Sequence, residues 1–378
     1  MTQRPLAFLT LALLTAASAS ADVSLVERKS LAHDFPTKVK PDHAHRGASQ
    51  KATGSQALID NSGVKYFINT AITFSTSSSA SGAMSEASYT HAVAATTLNG
   101  GTTSSTLNDA YDGYNTLCLS LNNTVATCET GNANFVIYDP SVAAGSAIAA
   151  TTECTGATSG VNRQVVFPTQ TVASLNVNMW RKVFVPDNDA YARWLNYFQN
   201  TGGSPVTITA VIANNLGSDS NTVIVTSSNG NNTAETSDTW VTTFQNYSGT
   251  TSSDPRLGHV FQGPGAAVQL AGINFADGDD NPFWGYTFTL QPGETKIIMN
   301  FAVVQPSKAA AAAKSTQLAS VFTNGLACTT PAEQAEIANF ISAIPILQIP
   351  TLNDAGLVAL MLGLALAAMK LLLRRRTA

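Results

Sequence analysis

Charge is what this chain has least of: of its 378 residues only 12% are Asp, Glu, Lys or Arg, with a formal net charge of −4. No strongly basic balance argues for a phosphate backbone, so no nucleic-acid partner is expected. Catalytic signatures are missing too. The body contains no Gly-x-Ser-x-Gly elbow, no His-Glu-x-x-His pair and no Walker loop, which removes the common nucleophile, zinc-protease and nucleotide signatures. His259 stands alone and reads as a packed or surface histidine rather than a base. Long apolar runs are absent from the body and occur only at the two ends. No alternation of strand and helix patterns appears, which argues against a parallel sheet.

Cysteine is scarce but even in number: Cys118, Cys128, Cys154 and Cys328. Their spacing is not that of close zinc-binding pairs, so in an oxidising compartment they predict two disulfides. Leu117–Leu121 and Val125–Cys128 flank Asn122-Asn123-Thr124, and a three-residue hairpin loop there would set Cys118 opposite Cys128. That leaves Cys154 with Cys328.

The chain opens with Arg4, an apolar stretch from Leu6 to Ala17 and then Ala19-Ser20-Ala21. The stretch suits a signal-peptide core and is too short to span a bilayer, so residues 1–21 predict a signal peptide removed by signal peptidase before Asp22. Residues 22–54 are polar and read as a leader or linker. Residues 355–373 are apolar except for Lys370 and end in Arg374-Arg375-Arg376. A helix over them reaches ~28 Å, about one hydrocarbon core, and the arginines place its end in the cytoplasm.

Before that segment stands Ile349-Pro350-Thr351-Leu352, then Asn353-Asp354-Ala355-Gly356. Tetrapeptide, apolar helix and arginine cluster together resemble the IPTL-type C-terminal sorting signal of Gram-negative bacteria, over residues 349–376. Ile349, Pro350, Thr351, Leu352, Gly356, Arg374, Arg375 and Arg376 carry the match, and Asn353-Asp354-Ala355 stand where that family has Ser-Glu-Trp. The resemblance implies processing by an exosortase-type membrane transpeptidase, with a precursor anchored in the inner membrane and a mature form at the cell surface or outside the cell. Segments of the body, from Arg181-Lys-Val-Phe-Val-Pro to Asn214 and on to Trp240 and Asp254-Pro255, are similar to other bacterial extracellular β domains of no assigned activity. No functional residue is carried over from them.

Residues 55–305 read as β. Ser174–Arg181, Val206–Ile212 and Thr222–Thr226 alternate with period two between Gly, Asn, Asp and Ser clusters. Tyr286–Leu290, Gln291-Pro-Gly-Glu294 and Thr295–Val304 predict a closing hairpin. The expectation is an antiparallel β-sandwich ectodomain, one large or two smaller, with Cys154–Arg163 as the best internal boundary. Residues 306–343 predict a helical hairpin. Ser307 caps an alanine-rich helix with Leu318, Ala319 and Phe322 on its apolar stripe, and Gly325 ends it. Thr330, Pro331 and Glu333 open a second helix with a capping box, burying Ile337, Phe340 and Ile341. A C-terminal transmembrane helix then follows.

Two candidate sites remain. Asp277, Asp279, Asp280 and Asn281 crowd oxygen ligands into one turn, which suits a structural calcium ion as well as a solvated turn, and no cofactor is otherwise required. Trp284 and Tyr286, beside that turn, could offer flat faces to a polysaccharide ligand, with Trp180, Trp194, Tyr197 and Trp240 as further aromatics of the same kind. The sequence therefore predicts an exported surface or matrix protein with a structural, adhesive or glycan-binding role. A secreted polysaccharide-active enzyme on the same β architecture is the alternative.

Overall fold

In a computed structural model the described residues run from 55 to 341, without 60–62, 71–79, 90–91, 94–104, 107–109, 112, 129–131, 141–150, 157–159, 218–221, 246–255 and 321–322. The signal segment, the leader and the sorting tail lie outside them. No helix among the described residues is long and apolar enough to cross a membrane.

In chain order the strands are β1 (Ser55–Ile59), β2 (Val64–Asn69), β3 (Met84–Tyr89), β4 (Ala92–Val93), β5 (Ser105–Thr106) and β6 (Thr116–Ser120). Then come β7 (Phe135–Ile137), β8 (Thr151–Thr155), β9 (Asn162–Val172), β10 (Val177–Phe184), β11 (Tyr191–Asn200) and β12 (Val206–Ala213). The last six are β13 (Thr222–Ser227), β14 (Trp240–Gln245), β15 (Arg256–Val260), β16 (Leu270–Asn274), β17 (Phe283–Leu290) and β18 (Thr295–Gln305). Helices α1 (Lys308–Ala319) and α2 (Pro331–Glu336) follow, with a 3-10 turn at Thr323–Leu326 between them.

Two antiparallel sheets dominate. One has eight strands in the order β13-β14-β15-β18-β11-β10-β9-β8, the other five in the order β16-β17-β12-β6-β7. Leu117, Leu119, Ile208, Ala210, Ile212, Trp284, Tyr286 and Phe288 of the smaller sheet share one core with Val165, Phe167, Met179, Trp194, Phe198, Ile298 and Ala302 of the larger. The three-stranded β1-β2-β3 sheet adds Leu58, Val64, Tyr66, Ile68 and Met84 to it. The described residues fall in a single unit, so the body is one sandwich. The Cys154–Arg163 stretch is no boundary: it is the β8–β9 connection, where Gly156 N–H donates to Val161 O at 2.8 Å.

β18 shows no period-two alternation, and its burial says why. Ile298, Ala302 and Val304 point into the sandwich, while Ile297, Met299, Phe301 and Val303 enter a second core on the sheet's other side. A strand buried on both faces has no polar face to show. The second core is closed by α1, which contributes Leu318 and Ala319, and by the segment after α2, which contributes Ile337 and Phe340. Gly258 permits this cover, because a Cβ there would lie 2.1 Å from Ser315 Oγ of α1. Ser307 Oγ accepts from Ala310 N–H at the start of α1, and Thr330 with Glu333 forms a complete capping box on α2.

Four expectations need correction. β17 and β18 are not a hairpin: β17 pairs with β12 and β16, β18 with β11 and β15. The Gln291–Glu294 turn is therefore a corner between sheets, held by Gly293 N–H to Asn200 O and Asn200 N–H to Glu294 O, each at 3.0 Å. Second, the cysteine pairs form as Cys118–Cys128 and Cys154–Cys328, but not through a hairpin. β6 pairs instead with β7, setting Cys118 opposite Ile137. The 121–128 segment folds back over the small sheet, and Val125 lies where a Cβ on Gly285 would sit 2.9 Å from its Cγ2. Third, α2 stops at Glu336, leaving Ile341 51% exposed rather than buried. Fourth, α1 ends at Ala319 with Ser320 as its C-cap, and Gly325 belongs to the 3-10 turn.

Candidate functional site

The aromatic residues sort by burial. Trp194, Trp284 and Tyr286 are fully buried, Tyr197 and Trp240 nearly so, and Trp180 is half-buried. Trp284 and Tyr286 therefore cannot receive a sugar ring. Trp284 packs on Phe261 at 4.7 Å, and the Tyr286 hydroxyl donates to Phe261 O at 2.7 Å and accepts from Asn300 Nδ2 at 2.8 Å. The tandem spacing put both on the core face of β17, two residues apart.

The acidic turn has a structural task. Asp277 Oδ1 accepts from Ile224 N–H at 2.7 Å, and Gly278 N–H donates to Thr222 O at 2.8 Å. β13 is the outer strand of the large sheet, so the turn covers its open edge. Asp279 Oδ1 accepts from Asn281 N–H at 2.9 Å, and Asp280 Oδ1 accepts from Asn281 Nδ2 at 2.5 Å. Among the described residues no three His, Cys, Asp or Glu side chains converge as metal ligands. Asp187 and Asp189 pair with Arg163 and Lys314, at 3.3 and 2.6 Å, the latter tying α1 to the sheet.

His259 is a packed residue inside the sandwich. One ring nitrogen lies 2.9 Å from Thr243 Oγ1 and the other 3.1 Å from the Tyr114 hydroxyl. Burial pushes its pKa down to about 3, so it stays neutral near pH 7. Arg181 is also fully buried, donating to Ser81 O and Asn115 Oδ1 at 3.2 and 2.5 Å. Burial disfavours its charge, and these acceptors offset part of that penalty.

The richest cluster lies on the outer face of the large sheet, at the margin of α2. Trp180 of β10 and Tyr197 of β11 are register partners and stack at 4.8 Å with planes 16° apart. Two residues along β10, Lys182 Nζ meets Glu153 Oε1 of β8 at 2.8 Å and Glu333 Oε1 of α2 at 2.9 Å. The Tyr197 hydroxyl donates to Glu333 Oε1 at 2.5 Å. Below them Arg193 donates to Gly325 O and Ala327 O at 2.8 and 2.6 Å and to Gln164 Oε1 at 2.9 Å. Burial pushes the Glu333 carboxyl up, but Thr330 N–H, the Tyr197 hydroxyl and Lys182 outweigh it and hold it down at about 2. The hydrogen bond from Lys182 lowers Glu153 as well. Both carboxylates therefore stay ionised at neutral pH and neither can serve as a general acid. The sequence hid this cluster because its members come from residues 153, 180, 182, 197 and 333. Only the alternation of Trp180 and Lys182 along one strand hinted at a shared outer face.

The chain matches no family model and no curated protein. Among solved structures it is similar to a putative aldose 1-epimerase from Klebsiella pneumoniae, with TM-score 0.36 and 8% identity over 72% of this chain and 92% of that one. A polysaccharide lyase gives TM-score 0.35 and 11% identity over 70% of this chain, which spans about a third (34%) of the lyase's length. A galactose mutarotase related enzyme from Lactobacillus acidophilus gives TM-score 0.33 and 8% identity over 66% and 97% of the two chains. Scores this low carry no argument about fold or activity.

Proposed function

We propose that this chain is an exported, disulfide-stapled β-sandwich protein of a bacterial surface or matrix, with a structural, adhesive or glycan-binding role. The observation that carries the reading is the pairing of all four cysteines, one bond joining residues 174 apart in sequence. Such bonds persist in oxidising compartments outside the cytoplasm. The tail supports the same address: Ile349–Leu352, Gly356 and Arg374–Arg376 would direct an exosortase-type enzyme to a membrane-held precursor. The enzymatic alternative finds less support, because the Glu153 and Glu333 carboxylates are occupied by Lys182, Gln164 and Tyr197 and His259 is sealed in the core.

Fractionation of the native host, with the mass of the mature C-terminus, tests the proposal. A chain ending near Thr351 at the cell surface or in matrix is expected. A chain retaining Ala378 in the inner membrane would overturn the surface address. Release of reducing ends from a polysaccharide panel would overturn the non-catalytic reading.

A further inference from the structure

We infer that the outer face around Trp180 is a docking platform for a neutral hexose polymer, an assignment that rests on the exported-module reading above. Three observations carry it. Trp180 is half-buried at the margin of the second core while Trp194 and Trp284 are sealed and Trp240 is 9% exposed, so among the four tryptophans this indole keeps the most solvent contact. One of its faces is fixed against Tyr197, 4.8 Å away and nearly parallel, which sets the ring's orientation in advance. Such preorganisation suits the apolar C–H face of a pyranose, which needs a flat, immobile partner.

Hydrogen-bonding groups flank the ring at the spacing of the strand. Asn178, Trp180 and Lys182 alternate on one face of β10, a strip of about 13 Å. Asn178 Oδ1 accepts from Thr171 Oγ1 at 2.8 Å, in exposed surroundings. Lys182 has three N–H donors and meets two carboxylates, which leaves one for a hydroxyl. The Glu153 side chain is 46% exposed. Amide, ammonium and carboxylate around an aromatic floor can each bind a sugar hydroxyl.

Charge selects among glycans. The Glu153 and Glu333 carboxylates take up the charge of Lys182, with the buried Arg193 below them, so no cation is left for a polyuronate, which would meet the exposed Glu153 carboxylate as like charge. A neutral chain meets none, and its hydroxyls can both donate to the carboxylates and accept from the ammonium.

The test uses the full chain purified from its native host, by affinity electrophoresis in gels containing neutral glucans, neutral mannans or polygalacturonate. A neutral polysaccharide is expected to retard the protein and alter its tryptophan fluorescence, with polygalacturonate inert. Trp180→Ala should weaken binding about tenfold or more, as loss of an anchoring aromatic does. Trp180→Leu keeps apolar bulk beside Tyr197 and should lose binding while still folding, its melting temperature lower by only a few degrees for the lost aromatic pair. Wild-type retardation by the folded Leu variant, absence of retardation by every neutral glycan, or preference for polygalacturonate would each overturn the assignment. The outcomes separate from those of the address: a chain retained in the inner membrane that still binds glucan sinks only the surface reading, whereas a surface-delivered chain that binds none sinks only the platform.

Discussion

Replacing Cys154 and Cys328 together by alanine removes the bond that ties β8 to the turn preceding α2. The loop it closes spans 174 residues, and the chain-entropy relation assigns such a loop about 5 kcal/mol of denatured-state restriction. The same relation gives the ten-residue loop of Cys118–Cys128 about 2.7 kcal/mol. The backbone modifies the figure. Cys154 and Cys328 have φ of +63° and +60°, a conformation costing about 1–2 kcal/mol for an L-residue. Arg193 holds Gly325 O and Ala327 O, and Gln164 Nε2 donates to Cys328 O at 3.4 Å. The turn therefore keeps its shape without the bond, and the alanine variant loses the full ~5 kcal/mol, a fall in melting temperature of about 10–20 °C. Cys154→Ala with Cys328→Gly should lose about 1 kcal/mol less, since glycine tolerates the left-handed backbone. Non-reducing urea denaturation, with intact mass confirming the remaining bond, measures both. A loss below about 2 kcal/mol would refute the loop-entropy reasoning. A glycine variant weaker than the alanine variant would refute the strain.

Trp284→Ala empties the centre of the sandwich and should cost about 3–5 kcal/mol, read as a lower denaturation midpoint; a near-neutral effect would mean the residue is not a core residue. Acid stability should have two components. His259 has its pKa lowered from 6.5 to about 3 in the folded state, so between these values the unfolded chain binds the extra proton and stability falls as pH drops below 6.5. Glu333, lowered from 4.5 to about 2, contributes stability that is complete above 4.5 and is lost as pH falls through 2. His259→Gln should therefore hold its stability down to about pH 4.5 before declining; an unchanged profile would count against a neutral buried histidine. Asp277→Ala should cost about 1 kcal/mol and increase concentration-dependent association by light scattering, because the β13 edge opens. If the acidic turn serves only the β13 edge, added calcium leaves the wild-type melting temperature unchanged, and a clear rise would show that the turn also holds the ion.

Local features were readable and long-range ones were not. Ser307 and the Thr330–Glu333 box mark helix starts through interactions within four residues. β12 shows itself by alternation, with Ile208, Ala210 and Ile212 inward. The tight Gln291-Pro-Gly-Glu294 turn made β17 and β18 look like one hairpin although they belong to different sheets. The count of cysteines gave two disulfides and the pairing came out as expected, yet the hairpin geometry that chose it did not, because β7 and not the 125–128 segment takes the edge of β6. Trp284 and Tyr286 looked available beside a polar turn. Only the register with Ile212 and Ala210 on β12 shows that they face inward. Trp180 occupies the opposite kind of place, and no local pattern separates the two.

β11 acquires its β10 neighbour within a few residues of synthesis, but its other neighbour is β18, which begins at Thr295. At about 5–20 residues per second that gap lasts on the order of ten seconds. Throughout it a ten-residue strand has one unpaired edge, and Cys154 waits still longer for Cys328. The central strand of the finished sheet is thus the most exposed to wrong partners while the chain is being made. The chain must stay clear of wrong partners until nearly all of it has emerged, and a ribosome stalled before residue 295 would leave a product unable to close its own core.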